Sequence, residues 1–181
     1  GVFRVMGQYE RAGEFYSQAL EIHREIGNKR NEGIFLGHLG LVFQAQGEYE
    51  RGIELTTQAI GIHREVGDKR SEGTDQGNLG DALFKLQRFE EAEAEFRQAI
   101  SLCDETIGGA AGAFRGSLAL LLAQQDQFDE AGSLIEVGEP QVQPNPEEYA
   151  KFLCKKGQVQ HLAGEEHSAR ASLGQAQDIA A

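Results

Sequence analysis

The sequence predicts an all-α fold in which pairs of antiparallel helices repeat along the chain. The first observation is a repeat, because residues 7–33 return as residues 47–73 at a constant shift of 40 residues. The segment Ile22-His23-Arg24-Glu25, for example, returns as Ile62-His63-Arg64-Glu65. A fixed period of about 20–50 residues is typical of repeat architectures. The second observation is that apolar residues recur every three or four positions, as they do on one face of a helix.

The first repeat shows how one helix pair is predicted. A helix is expected over about residues 9–26, where apolar and small residues follow the helical period. Gly27 stands where a helix ends in a left-handed residue, and Asn28 can cap the next helix. That second helix is expected over residues 30–46, and Gly47 ends it. Short turns between the two helices make them antiparallel.

The same alternation is expected to continue to the end of the sequence, as one array over residues 1–181 with about four and a half repeats. Residues 1–6 are expected to be the end of a helix whose beginning is missing, which suggests a fragment. Breaks between repeats and between helices are expected near residues 27–29, 67–69, 107–109 and 139–145. The remaining helices are expected over residues 49–66, 70–86, 89–107, 110–125, 128–137, 146–162 and 166–180.

The last break contains two of the three prolines. After it, Asn145, Pro146 and Glu148 form a helix start, because they suit the cap, the first helical position and the capping box. The segment 139–145 is either the place where a second helix was trimmed or a flap beside a binding groove.

Small residues recur where the second helix of each pair is expected to cross its neighbours. Small side chains let two helix axes approach to about 8–10 Å, and a larger residue beside them fills the gap. On the first helices, Leu39-Gly40 returns as Leu79-Gly80 and Leu118-Ala119. On the second helices, the small positions are Ala12, Gly52, Ala92, Ala131 and Ala169, and the larger ones are Tyr16, Thr56, Phe96, Ile135 and Leu173.

This pattern of small and large positions resembles the tetratricopeptide repeat. The 40-residue spacing and the Gly67-Asp68-Lys69-Arg70 turn resemble its long-repeat subclass, found in spindle-orienting scaffold proteins and in bacterial regulatory ATPases and kinases. The resemblance implies a right-handed α-α superhelix whose first helices line a concave face. One departure is that Arg24 and Arg64 stand where a proline usually follows the second helix, consistent with longer second helices.

Composition narrows the classes of partner. The net charge of −12 argues against nucleic acid or an anionic membrane surface, since both need a basic footprint. No apolar run approaches the roughly 20 residues of a membrane span, and the start of the sequence lacks the apolar core of a secretory signal. Cys103 and Cys154 suit neither a disulfide framework nor a metal motif, which favours a reducing, cytoplasmic location.

No set of residues predicts catalysis, a metal or a cofactor. His23 and His63 occupy one repeat position and are expected on an exposed helix face, where they would be equivalent residues rather than a pair. His161 and His167 lack the spacing of a helical metal pair. The segment Gly108-Gly109-Ala110-Ala111-Gly112 lacks the lysine that ends a phosphate-binding loop. We therefore expect no enzyme, no cofactor and no metal.

Each first helix carries a stripe of small residues with spacings of four and three, such as Gly33, Gly37 and Gly40. Glycine weakens a helix by up to about 1 kcal/mol, so its recurrence needs a reason. Either the whole stripe allows close packing between helices, or the middle position opens a groove floor to the backbone of a partner.

By resemblance, the exposed positions of the first helices would bind a partner in the concave groove. The floor would be mostly apolar, with Asn78 and Asp81 as polar handles and with cations only near the C-terminal end. Such a floor suits a peptide or an amphipathic helix of another protein. The candidate residues are Ile34, Gly37, His38, Leu41, Gln44, Thr74, Gly77, Asn78, Asp81, Phe84, Ser117, Leu120, Lys151, Lys155 and Gln158.

Three functions are compatible with these sequence features. The first is a non-catalytic protein-interaction scaffold. The second is a module that self-associates through an apolar surface left by the truncated N-terminal repeat. The third is the sensor or regulatory segment of a larger signalling ATPase or kinase.

Overall fold

The computed structural model describes residues 2–180, and the side chains of residues 8–180. Within these residues the secondary structure is helical, with no strand, so the predicted all-α class is confirmed. The helices are α1 (Val2–Glu25), α2 (Lys29–Ala45), α3 (Tyr49–Glu65), α4 (Lys69–Lys85), α5 (Phe89–Thr106), α6 (Gly108–Ala123), α7 (Phe128–Val142), α8 (Pro146–Leu162) and α9 (Glu166–Ala180).

The chain divides into two compact units, Gly1–Glu95 and Phe96–Ala181. In the first unit, α1 packs on α2, α2 on α3 and α3 on α4, so these four helices pack in chain order. A core of Leu20, Leu36, Leu39 and Ala59 joins the first three helices. In the second unit, α6 packs on α7 and α8 on α9, and α8 also contacts α6 and α7.

Local chemistry ends and starts the helices as the sequence predicts. Gly27 has a φ of 67° and Gly47 a φ of 84°, values that side chains disfavour and glycine accepts. The side chain of Asn28 accepts a hydrogen bond from the backbone N–H of Asn31, and this contact caps α2. The side chain of Asn145 caps α8 in the same way, with Pro146 in the first turn.

Three helix boundaries differ from the prediction. The chain forms one helix from Val2 to Glu25, rather than a short helix that ends near residue 6. Residues 2–6 therefore continue α1 and do not form a separate helix. The helix after the third break starts at Gly108 rather than at residue 110, because the backbone N–H groups of Ala110 and Ala111 donate to the carbonyl of Ile107.

The third difference is at the prolines. The helix predicted over residues 128–137 extends to Val142 and contains Pro140. The last turn is retained because it is packed: Val142 is buried, and Gly138 lies directly against the backbone of α6 at Gly112. These contacts offset the hydrogen bond that a proline removes from a helix.

Candidate functional site

The glycine stripe of α2 packs against neighbouring helices in the first unit. A Cβ at Gly37 would lie 2.6 Å from Oδ2 of Asp75 on α4, and a Cβ at Gly33 would lie 2.8 Å from the ring of His63 on α3. A Cβ at Gly40 would collide with Oγ1 of Thr56. A side chain from another helix of the same unit therefore packs directly against each of these glycines.

The second unit uses its small residues in the same way. A Cβ at Gly116 would lie 2.8 Å from the ring of Phe152 on α8, and a Cβ at Gly112 would lie 2.7 Å from the carbonyl oxygen of Gly138 on α7. The interpretation that the middle glycine opens a groove floor is therefore wrong at Gly37 and Gly116. Close packing between helices is the reason for these glycines.

Around Gly37, the α2–α4 face retains exposed side chains. This face is defined by Ile34, His38, Leu41 and Gln44 of α2 and by Thr74, Asn78, Asp81 and Phe84 of α4. Leu41 lies one turn after Gly37, whose position faces α4, and 39% of its surface is exposed. His38 is also exposed, and its ring lies 5.1 Å from the ring of Tyr16. The other residues of the face are half-buried, and Gly77 is buried.

The α6–α8 face of the second unit is largely closed. The sequence predicts an exposed Ser117 and Leu120, but Ser117 is fully buried and Leu120 is 8% exposed, so both expectations are wrong. The physical reason is that α6 is apolar on most of its circumference, Arg115 apart, and most of its residues are buried by neighbouring helices. Lys155 lies over this part of α6, and its Nζ donates a hydrogen bond of 2.6 Å to Oγ of Ser117.

Two of the candidate residues on α8 remain accessible. Lys151 is exposed and its Nζ forms ion pairs of 2.8 Å with Glu147 and 2.9 Å with Glu148, which raise the pKa of its ammonium group. Gln158 is exposed. The cation predicted at the C-terminal end of the binding surface is therefore already neutralised at Lys151 by residues of its own helix.

A buried polar contact in the first unit differs from the sequence-based expectation. His63 is 1% exposed, and its Nε2 lies 3.3 Å from Oδ2 of Asp75, so the expectation of a surface histidine is wrong. In the preceding repeat, the ring of His23 stacks on Phe35 at 5.2 Å instead. The sequence contained a signal for this buried contact, because Asp75 stands at the repeat position that Phe35 occupies in the preceding repeat. A charged residue at a packed position calls for a polar partner.

One ion pair recurs in both repeats and explains the repeated Arg and Glu residues at the turns. Arg24 pairs with Glu32 at 3.1 Å, and Arg64 pairs with Glu72 at 2.9 Å, at equivalent turns of the two repeats. Lys29 also donates to Glu32, and this bond is the main cause that lowers the pKa of the Glu32 carboxyl. These charged side chains therefore stabilise the turns between helices, and we do not assign them to ligand binding.

The two cysteines differ sharply in environment. Cys103 is fully buried, and burial followed by the charge of Asp104 raises the pKa of its thiol to about 11. Cys154 is free and exposed. Because the thiolate is the reactive form, we expect a disulfide reagent at pH 8 to titrate one thiol in the native protein and two in denaturant. Reaction of both thiols at the same rate in the native protein would contradict the packing around Cys103.

The described residues form neither a metal centre nor a membrane-spanning helix. Among residues 2–180, no group of three His, Cys, Asp or Glu side chains could hold a metal ion. None of the helices in this part of the chain combines the length and apolar character that a membrane crossing requires.

Comparisons with known proteins agree with the geometry. The family model described as tetratricopeptide repeat matches residues 1–65 and 31–105, which together are more than half of the chain. No curated protein matches the sequence. Among solved structures, BtubC (BKLC) from P. vanneervenii is similar with a TM-score of 0.79 at 20% identity, over 97% of this chain and 74% of that chain.

Two further structures resemble the chain. A putative kinesin light chain of Podosopora anserina, with nearly identical TPR-like repeats, gives a TM-score of 0.72 at 19% identity, over 96% of this chain and 87% of its own. YrrB, described as a TPR protein with an unusual peptide-binding site, gives a TM-score of 0.57 at 21% identity, over 98% of this chain and 81% of its own. At these identities the similarity shows the fold.

Proposed function

Because the chain belongs to the tetratricopeptide repeat family, we propose that it is a non-catalytic module that binds a peptide or an amphipathic helix of another protein. Proteins of this family generally mediate protein–protein interactions. We place the principal contact on the α2–α4 face of the first unit. The cytoplasmic location belongs to the same proposal and rests on two cysteines that are both free.

The exposure of Leu41 is the observation that carries this proposal. It is an apolar side chain on the side of α2 that faces α4, in a helix whose other leucines, Leu36 and Leu39, are buried. Half-buried Asn78 and Asp81 of α4 belong to the same face and supply its polar groups. An apolar anchor with polar neighbours is the arrangement by which grooves recognise amphipathic segments.

The proposal predicts that Leu41→Glu abolishes most of the peptide binding. Peptides are first selected from a displayed random library on the wild-type protein, and their affinities are then measured by fluorescence anisotropy. We expect Leu41→Glu to weaken the affinities of these peptides by about a hundredfold, because the change removes an apolar anchor and buries a charge in the contact.

The matched control is Val137→Glu, the same kind of change at a residue of α7 that is 53% exposed. It should leave the affinities within about twofold, since surface changes away from a contact have small effects. Selected peptides that bind wild type and Leu41→Glu equally would refute the assignment of the α2–α4 face.

Self-association is a second candidate, favoured by the outer face of α1. Phe15 and Ile22 of α1 are 64% and 55% exposed, and Ile26, in the turn directly after α1, is 65% exposed. Their counterparts in the next repeat include Leu55 and Ile62, which are half-buried and pack on the core of the first unit. An exposed apolar stripe of this kind suits a second copy of the chain.

Light scattering over a hundredfold range of concentration tests this candidate. If α1 pairs with a second copy, the mass rises from that of a 19.8 kDa monomer to twice that value, and Ile22→Glu keeps the protein monomeric. A wild-type protein that remains monomeric throughout would exclude self-association through α1.

A further inference from the structure

A cavity of about 410 Å³ opens between α7 and α8, within the second unit and apart from the α6–α8 face. Its floor is apolar and includes Ile135, which is 7% exposed, and Val159, which is 5% exposed. Half-buried Glu139 and Lys156 line its wall, and the exposed carboxylates of Asp129, Glu136 and Glu165 stand at its rim. Lys156 is the single ammonium group of this lining. The cavity volume lies in the range of sites that hold small ligands or one side chain.

The single cation of the cavity is already engaged. Nζ of Lys156 lies 2.7 Å from Oε2 of Glu139, and both side chains are less than a quarter exposed. The hydroxyl of Tyr149 donates to the other oxygen of Glu139 at 3.2 Å, and Nε2 of Gln175 donates to that hydroxyl at 3.2 Å. Because Glu139 and Lys156 satisfy each other, Lys156 is not available to neutralise a second carboxylate.

The three other carboxylates therefore leave the cavity with a net negative charge. Among the described residues, no side chain forms an ion pair or a hydrogen bond with the carboxylate of Asp129, Glu136 or Glu165. The described chain also lacks any cluster suited to a metal ion. An organic cation with an aliphatic stem would complement both the charge of this cavity and its apolar floor.

We propose that this cavity binds an arginine or lysine side chain from a basic segment of a partner protein. The methylene groups of the side chain lie on Ile135 and Val159, and its charged head reaches the carboxylates at the rim. Arginine suits the rim best, because its planar guanidinium donates to two carboxylate oxygens at once. This site deepens the proposed function, since it adds a charged contact on the second unit, and it rests on that proposal for the identity of the ligand as a polypeptide.

The test uses a fluorescent ten-residue peptide with a central Leu-Arg-Leu, and a twin in which neutral citrulline replaces arginine. Anisotropy titrations on the whole chain should show that the arginine peptide binds about tenfold tighter than the citrulline peptide. A tenfold difference corresponds to the free energy of about one charge-assisted hydrogen bond. The difference should shrink as salt is raised, because rim charges are screened. Equal affinities for the two peptides would overturn the proposal.

Charge reversal locates the site. Glu136→Lys should weaken the arginine peptide by about tenfold or more and leave the citrulline peptide unchanged. Asp178→Lys is the matched control, because it makes the same change of charge on α9 at an exposed residue outside the cavity. An equal loss for both variants would show a diffuse effect of net charge and would refute the cavity.

Two further arms separate this site from its rivals. Spermidine, a free organic polycation, should compete only weakly; competition as strong as that of the unlabelled peptide would refute a polypeptide ligand. If library-selected peptides bind the α2–α4 face while the arginine peptide fails to bind wild type, the cavity is refuted and the proposed function stands.

Discussion

Truncation of Phe152 to alanine is expected to lower the free energy of unfolding by about 3–5 kcal/mol, the range for a buried phenylalanine. Phe152 is 1% exposed, and its ring lies between Gly116 of α6 and Gly138 of α7. It therefore joins three helices of the second unit through a slot that two glycines leave open. Neither glycine has a side chain that could move into the cavity left by the ring.

A double-mutant cycle gives this prediction a sharper form. Gly116→Ala alone should destabilise the protein, because the new methyl group would lie 2.8 Å from the Phe152 ring. In the Phe152→Ala background the same change should stabilise it, since the methyl group then has space and alanine favours the helix by about 1 kcal/mol. Urea titrations followed by circular dichroism at 222 nm measure both, as the chain has no tryptophan. A Gly116→Ala effect of the same sign in both backgrounds would contradict the contact.

Gly40→Val is expected to destabilise the first unit by about 3 kcal/mol, the upper range for overpacking. Its side chain would enter the space of Oγ1 of Thr56 and would lie 3.1 Å from the carbonyl oxygen of Gly52. The backbone of Gly52 cannot rotate away as a long side chain could. The helices α2 and α3 would therefore have to separate along their crossing.

Gly61→Val provides the matched control for Gly40→Val. Gly61 lies within α3, and a Cβ added there would meet no atom of another described helix within 4 Å. Valine is a slightly better helix former than glycine, so this variant should unfold at the same urea concentration as wild type or slightly above it. Equal losses of stability for the two variants would show that helix propensity, and not the α2–α3 crossing, decides the effect.

The features that the sequence predicted well depend on local chemistry. A glycine with positive φ, as at Gly27, and a capping side chain, as at Asn145, act within one or two turns of the chain. The period of 40 residues extends such local signals over the first repeats. The helix order and the all-α class could therefore be predicted without knowledge of any long-range contact.

The features that failed depend on which helix covers which face. Ser117 and Leu120 lie in a helix with little amphipathic pattern, so its period could not show whether α8 would cover them. The open space expected at Gly37 is filled by Asp75, which lies 38 residues later in the chain. Such contacts follow from the packing of whole helices, and a repeat pattern constrains them only where every repeat carries the same side chain.

Amide chemical shifts of the isotope-labelled protein, recorded with a library-selected peptide, test whether the partner binds the α2–α4 face. We expect the largest shifts to cluster on α2 and α4, around Leu41 and Asn78, and Leu41→Glu to remove them. Shifts confined to α1, α3 or the second unit, with α2 and α4 unchanged, would contradict the assignment of the partner to the α2–α4 face.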